Sequence, residues 1–190
     1  MKTFISILTM LILAIPAFVQ AQHSHHSGGD TDFKTEFTTL IESYLSMKDH
    51  LLESNAEKAI EAGYELTEGL EKIGEQRLEG DDHMAWMETY GAIENSLNEI
   101  QNSSDLDELR KYFHPLSEEL AGAAERFGIN GVVFVQHCPM AIDKEGGSWL
   151  SREEQIANPY LPDSMLRCGR VIEKINYPKE YESQRLAFPA

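Results

Sequence analysis

The chain reads as a mainly α protein: an antiparallel four-helix bundle with a C-terminal irregular α/β extension. Three observations predict this. Between Thr31 and Gly128 apolar residues recur at three- and four-residue steps in successive blocks, the period of an amphipathic helix. The connections between blocks are short, which sets consecutive helices antiparallel. After Gly128 the period fails, and β-branched runs alternate with glycine and proline, as strands and turns do.

The first block carries Phe33, Phe37, Leu40, Ile41, Tyr44 and Leu45, then Leu51 and Leu52. Ser54 and Glu57 have the spacing of a capping box and start the second helix, whose stripe is Ala56, Ala59, Ile60, Gly63, Leu66, Leu70 and Ile73. Residues 74–82 are polar, contain Gly80 and form a connection. Met84, Met87, Tyr90, Ile93, Leu97 and Ile100 make the third stripe, and Trp86 on the same helix is assigned to the core. Ser104 caps a fourth helix with Leu106, Leu109, Phe113, Leu116, Leu120, Ala124 and Phe127, stopped at Gly128. Pro115 predicts a kink or break near Phe113. Beyond the bundle, 131–136 and 171–175 read as extended segments, and Ser151 with Glu154 predicts a short helix to Ala157. Trp149, Tyr160 and the nearby prolines clamp this extension onto the bundle.

The N-terminus has a separate logic. Lys2, the apolar run from Phe4 to Val19 and the small residues before Gln22 make residues 1–21 a signal peptide; an uncleaved anchor is the alternative. Residues 22–31, with His23, His25 and His26, form a polar histidine-rich leader without apolar residues to bury, expected to be disordered. Its histidines can hold Cu(II) or Zn(II) loosely. Residues 32–177 then hold the bundle and the Cys/Met segment, and 178–190 a tail. Location is periplasmic or secreted, with no membrane insertion after cleavage. The net charge of −16 excludes nucleic acid and anionic membrane surfaces as partners. No glycine-bracketed serine, phosphate-cradling loop or helical histidine pair is present, so the chain is not expected to be an enzyme.

Sulfur is the feature that points to chemistry. The two cysteines each stand near a methionine, in His137-Cys138-Pro139-Met140 and Met165-Leu166-Arg167-Cys168. If 138–140 is extended, Cys138 and Met140 face the same way and His137 the other. Met165 and Cys168, three apart, share one side of a helical turn. Brought together, Cys138, Met140, Met165 and Cys168 offer two thiolates and two thioethers, a donor set that selects Cu(I) and similar soft ions. His137 or His83 would complete or gate the site. In an exported chain the other reading is a Cys138–Cys168 disulfide, closing a loop worth about 3–4 kcal/mol, with the methionines as core filler.

The segments 135–141, 147–151, 156–160 and 165–169 (VQHCPMA, GSWLS, IANPY, MLRCG), with Tyr44-Leu45-Ser46-Met47-Lys48-Asp49 and Phe113-His114-Pro115-Leu116-Ser117, resemble the signature of an uncharacterised bacterial exported domain family. That family also occurs fused to periplasmic adaptor subunits of heavy-metal (copper/silver) efflux pumps. The resemblance spans about Asp32 to Val171, and Cys-Pro-Met is similar to the tripeptide of short heavy-metal-binding domains of copper pumps. It implies metal binding linked to heavy-metal efflux or homeostasis. The expected role is Cu(I) binding or shuttling, with zinc or silver as alternatives and an efflux adaptor or another periplasmic metal carrier as partner. The rival is a non-metal interaction module locked by the disulfide.

Overall fold

The computed structural model describes residues 27–74, 78–161 and 163–176. The expected signal peptide, the three leader histidines and the tail over 178–190 lie outside the described residues. Helix α1 spans Ser27–Leu52, α2 Ala56–Ile73, α3 Gly80–Gln101 and α4 Leu106–Phe127. α1 thus begins inside the segment expected to be a disordered leader. Extending an existing helix adds a hydrogen bond per residue without a new nucleation cost.

Contacts at the helix ends fix the topology. Phe33, near the start of α1, packs edge-on against Trp86 in the second turn of α3 and against Phe127 at the end of α4. The Trp86 indole N–H donates to the carbonyl of Gly74, just past α2, at 2.8 Å. The starts of α1 and α3 and the ends of α2 and α4 therefore share one pole of an up-down-up-down bundle, as expected.

Several local expectations are corrected. Asn55, not Ser54, caps α2, accepting from the Lys58 N–H. In so short a linker one residue must turn left-handed, and Ser54, the second after α1, does so at φ 54°, which moves the cap on by one. Asp105 likewise caps α4 through the Glu108 N–H, while the Glu108 carboxylate reaches back to the Ser104 N–H. The start of the α3 stripe is rotated. Trp86 is buried, whereas Met84 and Met87 are 68% and 38% exposed, because the indole has four aromatic neighbours and a carbonyl partner on the core side. α4 runs unbroken through Pro115. Its buried stripe of Leu109, Phe113, Leu116 and Leu120 holds the helix across the one hydrogen bond that proline removes.

The extension is a three-stranded antiparallel sheet of β1 (Val132–Cys138), β2 (Gly147–Ser151) and β3 (Arg170–Asn176), in the order β2-β1-β3. β1 and β3 coincide with the expected extended segments; β2, rich in glycine and serine, has no hydrophobic alternation to announce it. The helix expected from Ser151 is absent, and 152–155 are bends. The Ser151 hydroxyl accepts the Glu153 N–H at 3.1 Å, and the Gln136 amide donates to the carbonyls of Glu153, Glu154 and Gln155. A helix would need those carbonyls for residues 157–159, of which Pro159 has no N–H and Asn158 gives its own to Leu166. One face of the sheet, bearing Gln136 and Trp149, is thus covered by residues 152–161 and 163–169. Alternation places Val133, Val135 and Leu150 on the other.

Bundle and sheet are tied by a buried hydroxyl network. Tyr44 donates to the Ser117 Oγ at 2.7 Å and accepts the Leu150 N–H at 3.2 Å. Ser117 gives its only proton to the Phe113 carbonyl at 2.7 Å. Tyr160 donates to the Ser148 carbonyl at 2.5 Å and lies 3.3 Å from the same Oγ. Burial pushes both phenols above their ordinary range, so both stay protonated donors. Ser117→Ala leaves the Tyr44 proton buried without an acceptor and is expected to cost about 1–3 kcal/mol. Denaturant unfolding should show a lower midpoint at unchanged slope. Adding Tyr44→Phe should cost less than it does alone, because the shared bond is already lost.

Candidate functional site

The β1–β3 register builds the site. His137 pairs with Arg170, so the residues just before β3 lie beside the end of β1, where Cys138 sits. Cys138 is buried and Cys168 partly so; their Sγ atoms are 2.6 Å apart, and both thiols are free. Glycines permit this closeness. Gly169, at φ 143°, has the Trp149 ring 2.9 Å and the His137 carbonyl 3.0 Å from where a Cβ would stand. Gly147, opposite Cys138 in β2, would place a Cβ 3.0 Å from the Tyr160 ring.

The methionines sit differently from the sequence expectation on one side and as expected on the other. The chain does not stay extended past Cys138. It turns at Pro139 and Met140, with the Ala141 N–H returning to the Cys138 carbonyl at 3.3 Å, and Pro suits the second position of such a turn. Met165 and Cys168 do share a tight turn, the Cys168 N–H reaching the Met165 carbonyl at 2.9 Å. Met140 and Met165 are 50% and 45% exposed, so neither is core filler. Both line one open cleft of about 1170 Å³, facing Asp105 and Glu108 at the start of α4.

The histidines do not join them. His137 is on the opposite side of β1 from Cys138 by strand alternation; its Nδ1 is 3.1 Å from the Ser148 Oγ. His83 is in the first turns of α3, whereas Ser104, just past the end of α3, lines the sulfur cleft. From His83 to Gln101 the helix rises about 27 Å, so His83 belongs to the other pole.

Other residues, unmarked by sulfur, hold the site in place. Asn158 is fully buried. Its side chain donates to the Cys168 carbonyl at 2.8 Å and accepts the Tyr160 N–H at 2.9 Å, while its own N–H bonds the Leu166 carbonyl at 2.9 Å. Arg110 on α4 donates Nε to the Pro159 carbonyl at 2.9 Å. The Asn-Pro pair is a turn signal, which marks Asn158 as a chain reversal but not as the anchor of a cysteine.

Chemically, the pair is suited to bond formation or soft-ion binding. The Cys138 thiol beside it, and then burial, push the Cys168 thiol up, the opposite of an activated nucleophile. Two sulfurs on one tetrahedral ion, with metal–sulfur bonds of about 2.3 Å, stand about 3.8 Å apart, so these two must open by roughly 1 Å to share one. Among the described residues no group of three or more His, Cys, Asp or Glu is placed to hold a metal.

Residues 40–131 match the model of a family described as a protein of unknown function (DUF3347). The match covers most of the bundle and ends just before β1, so the Cys/Met segment lies outside it. The comparisons with curated proteins and with solved structures gave no match.

Gly169→Ala tests whether this packing sets the sulfur distance. The added methyl must displace the Trp149 ring or the His137 carbonyl, an overpacking cost of about 1–3 kcal/mol. Helical circular dichroism should be kept while Cys138 in the reduced chain reacts faster with a thiol reagent; an unchanged rate would refute the role given to Gly169.

Proposed function

We propose that this chain, whose residues 40–131 match the DUF3347 model of unknown function, is a soft-metal-binding protein that holds Cu(I) through sulfur. The observation that carries the reading is the convergence of Cys138 and Cys168, within bonding reach, beside a cleft lined by the exposed Met140 and Met165. Exposed methionine surrenders hydrophobic burial, and two such residues bordering one thiol pair have a common use as thioether donors. Thiolates with thioethers favour Cu(I) or Ag(I); zinc, which takes no thioether, fits less well. The cysteines would supply the charge and the methionines the remaining coordination. Met140 and Met165 line an open cleft, which suits an ion that is taken up and passed on, in keeping with a carrier in the periplasm or a secreted carrier linked to heavy-metal efflux. An efflux adaptor or another metal carrier would be the partner.

The sulfur separation favours a second reading. At 2.6 Å the thiols are nearer a disulfide, whose bond is about 2.05 Å, than two ligands of one ion. In that form the bond locks the loop before β3, and the molecule acts as an interaction module without metal. The two readings describe one pair in two redox states: oxidation of the two thiols passes two protons and two electrons to an external disulfide, and reduction restores the thiols, which lose their protons on binding a metal ion.

Two measurements separate them. Titration of the reduced chain with Cu(I) against a competing chelator should show sulfur-bound copper, weakened at least about tenfold, or roughly 1.4 kcal/mol, by Cys138→Ser. Unchanged affinity in that variant would remove Cys138 from the site. Intact mass and free-thiol count of the exported protein report the other form. A quantitative loss of two hydrogens, with no copper uptake after reduction, would leave only the disulfide-locked module.

A further inference from the structure

Among the described residues the large exposed hydrophobic side chains are Tyr64, Val132, Ile172 and four methionines. The methionines fall into two pairs. Met140 and Met165 flank the cysteines. Met84 and Met87 stand at the other pole, one and four residues after His83. On a helix of 3.6 residues per turn these three positions fall within an arc of roughly 100°, with Met87 between His83 and Met84. Positions three and four apart are surface neighbours, so one imidazole and two thioethers can meet over a single point.

His83 is one of two described histidines with a buried, unpartnered ring nitrogen, and it is the one that has two exposed methionines beside it on its helix. His50 lies beside Glu53 and His137 beside Ser148, and each has the ordinary explanation of a hydrogen-bonded ring; His114 stands 3.7 Å from Glu118 and edge-on to Tyr160, with its own Nδ1 buried and unpartnered. The His83 Nδ1 is buried without a hydrogen-bond partner. A buried nitrogen with no partner is costly and calls for a reason. Asp81 in the first turn of α3 adds negative charge where the helix dipole alone would repel a cation; Asp82 is paired with Arg126 at 2.9 Å.

We propose that His83, Met84 and Met87 form a second binding site for a soft monovalent cation, Cu(I) or Ag(I), at the pole opposite the cysteines. One nitrogen and two thioethers are neutral donors that suit a soft, singly charged ion and discriminate against hard ions such as Ca²⁺ and Mg²⁺. The site does not depend on the cysteine reading, since it shares no residue with it.

The test uses the full chain with methionine methyl groups labelled with ¹³C and with Cys138→Ser and Cys168→Ser, which silences the cysteine pair. Ag(I), a diamagnetic stand-in for Cu(I), is added stepwise. The methyl signals of Met84 and Met87 and the ring signals of His83 should move together and saturate, while the buried Met47 stays still. Met84→Leu with Met87→Leu, both at exposed positions that leave the core intact, should raise the half-saturating Ag(I) for the His83 signals at least about tenfold. Static Met84 and Met87 signals through a tenfold excess of Ag(I) would overturn the proposal, as would His83 shifts that persist at the same Ag(I) in the double leucine variant. In the chain with native cysteines, Met140 and Met165 report on the cysteine pair alone, so failure at one pole is distinguishable from failure at the other.

Discussion

The Ser117 hydroxyl is the point on which the assembly of this molecule turns. It is fully buried in α4 and has one proton, which it gives to the Phe113 carbonyl. Its lone pairs are thereby left to receive Tyr44 from α1, with Tyr160 from the loop close by. Tyr44 in turn receives the Leu150 N–H, and Tyr160 reaches the Ser148 carbonyl. Two backbone groups of β2 are thus bonded to phenols that stand on the bundle side. A small three-stranded sheet has little stability of its own. Here its position is fixed by directional bonds in a dry environment, where an unmade bond is expensive. The stacked Tyr44 and Phe113 rings and the contact of Phe113 with Tyr160 add apolar area around the same point.

The placement of the sulfurs follows from that docking. β2 fixes β1, and β1 fixes β3, whose first residue is two positions after Cys168. Asn158 adds an independent hold by bonding the Cys168 carbonyl while also receiving the Tyr160 N–H. The loop bearing one cysteine is therefore tethered to the tyrosine that anchors the sheet bearing the other. Gly169 and Gly147 remove the Cβ atoms that would hold the layers apart. Strand register and the missing side chains together let the two sulfurs approach.

This explains what could be read from the residues and what could not. The helices were legible because burial on one face writes a period into the chain; Leu66, Leu70 and Ile73 in α2 and Leu109, Phe113 and Leu116 in α4 are buried as their spacing predicts. Caps slipped by one because Ser54 was taken up by a left-handed turn, a choice made by linker geometry and not by side-chain chemistry. Met84 and Met87 were misread as core because methionine is apolar on any scale, and only the competing indole of Trp86 reveals which face won. β2 and the loop after it are long-range structures. Gln136 draws three loop carbonyls away from a helix that the capping-box pattern would otherwise start. The sulfur residues themselves were visible from composition, yet their meeting depends on a strand register that has no local signature.

The two poles have different mechanical standing. The cysteine pole is built from a loop and strand ends, so a shift of roughly 1 Å between sulfurs asks only for movement of the tight turn that carries Cys168. The His83 pole lies on a helix whose inner face is pinned by Trp86 among four aromatic rings and bonded to Gly74. Its backbone is rigid, and only the flexible methionine side chains can adapt. About 27 Å of helix lie between the poles, too far for an ion to pass between them without leaving the protein. If both hold metal, each must exchange with solvent or with a partner on its own side. A partner that docks at the sulfur cleft would then meet the acidic start of α4, and one that docks at the far pole would meet Asp81 and Asp82. In a chain of net charge −16 both encounters favour a basic partner surface, and both weaken as salt rises.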